Sequence, residues 1–317
     1  MKYFRSHSWG VQLFWFGILI LTFWVICGSM VYKLLPVFTP YSYLQLTSID
    51  EQSPMALINT AIIVQGIMSI FMFLIPAWLF SYLAHPKPAE YLGLRPPGRK
   101  IQWVLVLLVI IGAMPVLQMF EGLISQIDFG AKVKAEQAAN DHMMGAFLTM
   151  PTFMSFIKAF VVMAIIPAFG EELFFRGVLL RFAKKRSSTM VFPILFTAVI
   201  FSWSHTNIYG YLSIFLAGVL LAVIYYLTSS LWCSILAHMF FNGSQVILSY
   251  CGTKNAGIKA YIENSTVPVY LVIAGAIVFC ISFYLLLKNK TPLPANWTDD
   301  FVPAGPAEGD WDFMVKS

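Results

Sequence analysis

Charged residues are scarce in this chain. Asp, Glu, Lys and Arg make up 11% of its 317 residues, whereas a soluble domain averages roughly a quarter. A chain with so few charges cannot cover a water-facing surface in the usual way. Hydrophobic residues make up 59% of the sequence and its mean hydropathy is +0.75, so we predict an integral membrane protein.

Cysteine is scarce as well, and the basic residues are not clustered into a nucleic-acid-binding patch. Four cysteines in a chain of this length do not make a disulfide scaffold. The net charge is +5, but the basic residues are scattered at the ends of apolar runs, where membrane proteins carry them. We therefore expect membrane lipid as a partner, and no nucleic acid.

Several apolar runs are long enough to cross a bilayer, which takes about 20 mostly apolar residues. We predict an all-α fold, a polytopic transmembrane helix bundle with about eight spanning helices. The first run is too long for the core of a signal peptide, so we expect it to remain as an anchor. The candidate spans are residues 11–32, 55–83, 101–124, 153–176, 189–207, 209–228, 231–250 and 267–288.

Composition divides the chain into four segments. Residues 1–124 hold the first three predicted helices, and residues 125–149 form an extramembrane or interfacial connecting segment. Residues 150–290 hold the fourth to eighth helices. Residues 291–317 form an acidic, proline-containing tail, which we predict to be disordered because it has little apolar surface to bury.

The loops between the predicted helices alternate in charge. Clusters of Lys and Arg lie before the first helix, between the second and third, after the fourth and after the last. Such clusters mark the cytoplasmic side of a membrane protein. We therefore expect a multi-pass protein of the cell membrane (plasma or inner membrane) with both termini cytoplasmic.

Polar residues interrupt three of the apolar runs. A central Asp, Lys or Arg costs about 2.5–3.5 kcal/mol on insertion scales, so residues of this kind usually serve a function. Three helices that each carry such groups are hard to explain by packing alone. In the fourth, fifth and seventh runs the residues of interest are Glu171, Glu172, Arg176, Phe201, His205, His238 and Asn242.

Residue spacing separates the roles of the two glutamates. Glu172 and Arg176 are four residues apart, so they share a helix face and can neutralise each other. Glu171 is rotated by about 100 degrees from Glu172 and has no partner on its own helix. His238 and Asn242 are also four residues apart and share a face.

A carboxylate, two imidazoles and an amide suit hydrolysis by an activated water molecule. Glu171 would be the general base, one histidine would hold the water or pass a proton, and the other histidine with Asn242 would stabilise the oxyanion. Zinc is the competing design, with Glu171, His205 and His238 as ligands. The H-E-x-x-H motif of zinc proteases is absent from the sequence, so we favour a site without metal and with no required cofactor.

The three motifs together carry a resemblance to a known family. E-E-x-x-x-R, F-x-x-x-H and H-x-x-x-N on successive apolar helices resemble the CPBP (Abi) family of intramembrane endopeptidases, whose eukaryotic members are the type II CAAX prenyl proteases. The resemblance is close over roughly residues 150–250, and it implies that residues 150–290 form a CPBP-type catalytic core. The implied catalytic residues are Glu171, His205, His238 and Asn242, and the implied supporting residues are Glu172, Arg176 and Phe201.

The resemblance implies an endopeptidase that acts on a membrane-associated or lipidated peptide. Two alternatives stay open at this point: a zinc-dependent metalloendopeptidase with the same residues as ligands, and a non-catalytic membrane scaffold or immunity protein. A proton-coupled transporter is a third, but the sequence has no paired halves with matching interrupted helices.

Overall fold

The chain forms a helix bundle. A computed structural model describes residues 3–263, 267–294 and 297–298, and within these ranges the chain contains no β-strand, which confirms the all-α prediction. The helices, in chain order, are α1 (Trp9–Phe38), α2 (Tyr43–Thr47), α3 (Met55–Ala84), α4 (Pro88–Leu92), α5 (Ile101–Ile124), α6 (Ala131–Phe147), α7 (Phe153–Lys185), α8 (Val191–Trp203), α9 (Tyr211–Thr228), α10 (Leu231–Gly252), α11 (Ala256–Glu263) and α12 (Val269–Lys288).

Seven helices in the described ranges are long and apolar enough to cross a membrane, namely α1, α3, α5, α7, α9, α10 and α12. The sequence predicted about eight spans, and the eighth candidate is the short helix α8. The run at 189–207 forms the 13-residue helix α8, and an α-helix of that length is about 20 Å long, shorter than a hydrocarbon core of about 30 Å. The protein is a multi-pass bundle in which α8 is the short apolar helix.

A polar turn ends α8. Asn207 Oδ1 accepts the Gly210 N–H at 2.8 Å, and Asn207 Nδ2 donates to Glu121 Oε1 near the end of α5 at 3.1 Å. His205 consequently lies in the turn that follows α8. The sequence predicted that His205 lies on a spanning helix. The structure differs because the turn finds polar partners within the protein, so the backbone can leave the helix there.

Helix α7 carries a long buried stretch, in which every residue from 170 to 178 is buried. The helix contains two π-helical turns, Val161–Ile165 and Leu173–Leu179. Turns of this kind are short bulges within α-helices and often occur at functional sites. Pro167 follows the first of them, and its ring nitrogen has no hydrogen to donate to the carbonyl of Met163 one turn earlier.

The connecting segment at 125–149 contains α6, which is not among the helices apolar enough to span. Two polar contacts join it to the bundle. Thr206 Oγ1 donates to Asn140 Oδ1 at 3.0 Å, and His142 Nδ1 lies 3.4 Å from Glu51 Oε2. The first of these contacts places α6 against the turn that holds His205.

The chain after α12 continues along the bundle. Thr291 donates its backbone N–H to the Leu227 carbonyl at 2.7 Å. Trp297 is buried, and its indole Nε1 donates to Tyr225 Oη at 3.2 Å. The first part of the segment predicted as a tail therefore packs on α9, because its tryptophan has apolar surface to bury. The rest of the predicted tail, residues 295–296 and 299–317, lies outside the described residues.

Two glycines let α5 and α12 cross closely. A Cβ at Gly112 would lie 2.4 Å from the backbone nitrogen of Phe279, and a Cβ at Gly275 would lie 2.3 Å from Pro115 Cγ. Small residues allow this backbone approach in membrane helices, where van der Waals packing rather than the hydrophobic effect drives association. The crossing therefore depends on the absence of side chains at both positions.

Gly112→Ala should destabilise the fold by about 1–3 kcal/mol, the usual cost of overpacking a core. The added methyl group would meet backbone, which cannot move aside like a side chain. Gly28→Ala on α1 is the matched control, because a Cβ there has no atom within 4 Å and alanine favours the helix. Thermal unfolding of the purified variants in detergent measures the difference, and equal melting temperatures would contradict the tight crossing.

Candidate active site

Glu171 and Glu172 lie on α7 between its two π-helical turns, and both are buried, with 8% and 0% of their surface exposed. The preceding Gly170 faces α3. A Cβ there would lie 3.3 Å from Phe73 Cβ and 3.4 Å from the backbone nitrogen of Leu74. The glycine therefore lets α3 close over α7 beside the two carboxylates.

Glu172 forms a buried ion pair with Arg176, as their spacing predicts. Arg176 Nη1 donates to Glu172 Oε1 at 2.5 Å, and Arg176 Nη2 donates to the Gly218 carbonyl on α9 at 2.9 Å. The guanidinium also lies over the ring of Phe201 on α8, with 4.7 Å between its central carbon and the ring centroid. The charge is thus stabilised by a carboxylate, a carbonyl and an aromatic face.

His238, on α10, lies between the two glutamates. Its Nδ1 is 2.9 Å from Glu172 Oε1, and its Nε2 is 3.9 Å from Glu171 Oε2. The guanidinium keeps Glu172 ionised, and an ionised carboxylate can only accept hydrogen bonds. His238 must therefore carry a proton on Nδ1, which directs Nε2 toward Glu171.

Glu171 is the carboxylate that the surrounding protein leaves free. Its Oε2 is buried and has no hydrogen-bond partner among the described residues. The 3.9 Å to His238 Nε2 is too long for a direct hydrogen bond. A buried acceptor beside an imidazole nitrogen can take a proton from a small molecule bound between them, which is the role of a general base.

His205 approaches the same group from the turn that follows α8. Its Nδ1 lies 2.7 Å from the Phe201 carbonyl, and because a carbonyl can only accept, Nδ1 is the protonated nitrogen. The Phe201 ring centroid is 4.8 Å from the His205 ring and 5.9 Å from the His238 ring. Both imidazole rings therefore pack against the phenyl ring of Phe201. The distance between the two imidazole centroids is at most the sum of these two distances.

Asn242 lies one turn after His238 on α10 and is tied to α7. Its Nδ2 donates to the Met163 carbonyl at 3.2 Å. Pro167 lies four residues after Met163 and has no N–H to donate to its carbonyl. The Met163 carbonyl is therefore available to accept from the Asn242 amide. Nδ2 carries two hydrogens, and only one of them is needed for this bond.

The structure thus assembles residues that are far apart in the sequence. Glu171, Glu172, Arg176 and His238 are linked by direct contacts of at most 3.9 Å, whereas His205 joins through Phe201 and Asn242 through Met163. Sequence reasoning missed the bond between Glu172 and His238. It also missed Ser234, whose hydroxyl lies 2.5 Å from Glu172 Oε2. The four-residue spacing of Ser234, His238 and Asn242 on one helix face was the available signal.

The sequence also offered Glu171, His205 and His238 as the ligands of a zinc ion. No group of three or more His, Cys, Asp or Glu side chains in the described ranges is placed to hold a metal. In the described ranges these three side chains are therefore not arranged as a metal-binding group.

Residues 153–244 match the family model described as type II CAAX prenyl endopeptidase Rce1-like. The match runs from the start of α7 into α10 and includes all of the site residues above. It confirms the predicted resemblance over this segment. With the seven apolar helices, it supports a multi-pass membrane protease of the CAAX type in general. No curated protein and no solved structure matches the chain.

Arg176→Ala should lower the amount of folded protein, because it leaves the Glu172 carboxylate buried without its counter-charge. Breaking a buried ion pair in this way costs about 3 kcal/mol. Size-exclusion profiles of the detergent-extracted protein measure the folded fraction, with Lys185→Ala as the control because Lys185 is an exposed basic residue at the end of the same helix. Normal yield together with complete loss of activity would instead assign Arg176 to the chemistry.

Proposed function

We propose that the protein is an intramembrane endopeptidase of the CAAX-protease type, which hydrolyses a peptide bond with a water molecule activated by Glu171. The observation that carries the proposal is the unpartnered, buried Oε2 of Glu171 beside His238 Nε2. The match of residues 153–244 to a family of prenyl endopeptidases supports the same reaction class.

The division of roles follows from the contacts of the two glutamates. Arg176 neutralises Glu172, so Glu172 serves to hold His238 rather than to accept a proton from water. Glu171 has no such counter-charge in hydrogen-bonding contact with its Oε2 and keeps a lone pair available. Water is a weak nucleophile at neutral pH, and a carboxylate base held away from solvent can take its proton as it attacks.

The reaction then needs three transfers. Glu171 takes a proton from water, and the oxygen adds to the scissile carbonyl. The second Nδ2 hydrogen of Asn242 stabilises the oxyanion that forms, and an unprotonated imidazole Nε2 accepts a hydrogen bond from the attacking water. The intermediate collapses by breaking the C–N bond, and Glu171 returns its proton to the departing amine, so that the carboxylate is restored. His238 Nε2 and His205 Nε2 are the imidazole groups free to contact the reacting atoms.

The substrate is a membrane-associated or lipidated peptide, and the surrounding partner is membrane lipid. Burial of the site among apolar helices favours a substrate delivered by the bilayer. The positions of the Lys and Arg clusters favour a plasma or inner membrane protein with both termini on the cytoplasmic side.

Glu171→Gln should abolish proteolysis while leaving the fold intact, because an amide of the same shape cannot accept the proton of water. We expect peptide termini generated by cleavage of membrane proteins to be present in cells with the unaltered protein and absent in cells with the variant. Mass spectrometry of membrane-protein termini makes the comparison, with Glu90→Gln, at an exposed position on α4, as the control. Identical termini in all three strains would contradict a protease and favour a scaffold or immunity role.

The proposed mechanism needs no metal. We expect elemental analysis of the purified protein to find less than one tightly bound metal ion per chain, and we expect cleavage activity to survive dialysis against a chelator. Stoichiometric zinc, with activity lost on chelation and restored by zinc, would contradict the water-activation mechanism and make Glu171, His205 and His238 ligands.

A further inference from the structure

Ser234 on α10 is fully buried, with 0% of its surface exposed, and its hydroxyl lies 2.5 Å from Glu172 Oε2. We infer that Ser234 is a positioning residue, which fixes the Glu172 carboxylate so that His238 presents Nε2 to Glu171. The inference deepens the proposed function and rests on it for the catalytic consequence, whereas the orientation of His238 can be measured independently of any activity.

The two oxygens of Glu172 are held by different groups. Oε1 receives Arg176 Nη1 at 2.5 Å and His238 Nδ1 at 2.9 Å, whereas Oε2 receives the Ser234 hydroxyl. A carboxylate held only at one oxygen can rotate about its terminal bond, a torsion with broad preferences. The serine therefore supplies the second point that fixes the plane of the carboxylate.

The hydroxyl has a choice of two acceptors. It lies 3.0 Å from the Leu221 carbonyl on α9 as well as 2.5 Å from Glu172 Oε2. A hydroxyl has one proton to donate, and bonds to ionised acceptors are shorter and stronger than bonds to neutral ones. The shorter distance to Oε2 agrees with donation to the carboxylate, which makes Ser234 a partner of the ion pair.

His238 depends on this carboxylate for its tautomer. A neutral imidazole carries its proton on either nitrogen, and the partner of one nitrogen decides which. With Glu172 fixed, the proton lies on Nδ1 and Nε2 faces Glu171 at 3.9 Å. If Glu172 rotates away, the proton can move to Nε2, and the nitrogen facing Glu171 becomes a donor instead of an acceptor.

The test reads the tautomer directly. Protein labelled with ¹⁵N-histidine in detergent shows by two-bond ¹⁵N–¹H correlation which ring nitrogen carries the proton, and His238→Gln identifies the His238 signals among the five histidines. We expect a single form with a proton on Nδ1 in the unaltered protein. In Ser234→Ala we expect both tautomers or an exchange-broadened signal.

Ser213→Ala is the matched control. Ser213 is also buried in the bundle, and its hydroxyl donates to the Leu117 carbonyl on another helix at 2.7 Å, so that variant loses an interhelical hydroxyl bond without touching the ion pair. Its His238 signals should match those of the unaltered protein. Ser234→Cys, which is close in volume and keeps a weak donor, provides a second variant if Ser234→Ala does not fold.

The kinetic effect is measured on a fluorogenic farnesylated peptide with three residues after the lipidated cysteine. We expect Ser234→Ala to lower kcat about ten- to hundredfold, the range for losing a hydrogen bond to a charged group, with KM unchanged because Ser234 is held away from substrate. The kcat of Ser234→Cys should lie between that of the unaltered protein and that of Ser234→Ala.

An unchanged single tautomer of His238 in folded Ser234→Ala overturns the inference, whatever the activity. A mixed tautomer with unchanged kcat overturns the catalytic consequence. If the unaltered protein leaves the farnesylated peptide intact, the proposed substrate is contradicted while the tautomer comparison still decides the role of Ser234, so the two failures are distinguishable.

Discussion

The buried ion pair of Glu172 and Arg176 is the constraint around which the rest of the site is arranged. Both residues are at most 1% exposed, and charges removed from water are costly unless their remaining donors and acceptors are satisfied. The partners of the pair come from three other helices: the Phe201 face from α8, the Gly218 carbonyl from α9, and Ser234 and His238 from α10. The contacts of one ion pair therefore join four helices, α7 to α10.

That arrangement has an electrostatic consequence for the neighbouring carboxylate. Because Arg176 is committed to Glu172, the adjacent Glu171 has a buried oxygen with no hydrogen-bond partner in the described ranges. Two successive glutamates thus have different surroundings: Glu172 is held by three polar contacts, and Glu171 keeps an oxygen that can accept a proton. Separate environments for neighbouring titratable groups are a common basis for dividing structural and catalytic roles.

Backbone irregularity serves the same site. The two π-helical turns of α7 flank its glutamates, and Pro167 leaves the Met163 carbonyl to accept from Asn242. His205 likewise uses a carbonyl of the last turn of α8. In a membrane-embedded bundle each such backbone group needs a partner within the protein, so helix interruptions and polar side chains occur together.

Patterns among residues close together in the chain predicted much of this protein's structure from the sequence alone. Hydrophobic run length predicted the helical bundle, and the four-residue spacing of Glu172 and Arg176 predicted their pair, because both depend only on neighbours along the chain. The short length of α8 was not predicted, since run length did not show that the polar turn after Trp203 would end this helix early.

Only the tertiary structure decided which glutamate receives His238, what Ser234 does, and what anchors Asn242. These contacts join residues 66, 62 and 79 positions apart. They depend on the depth and rotation of α10 relative to α7. Packing against other helices sets both, so residue spacing within a single helix cannot predict them.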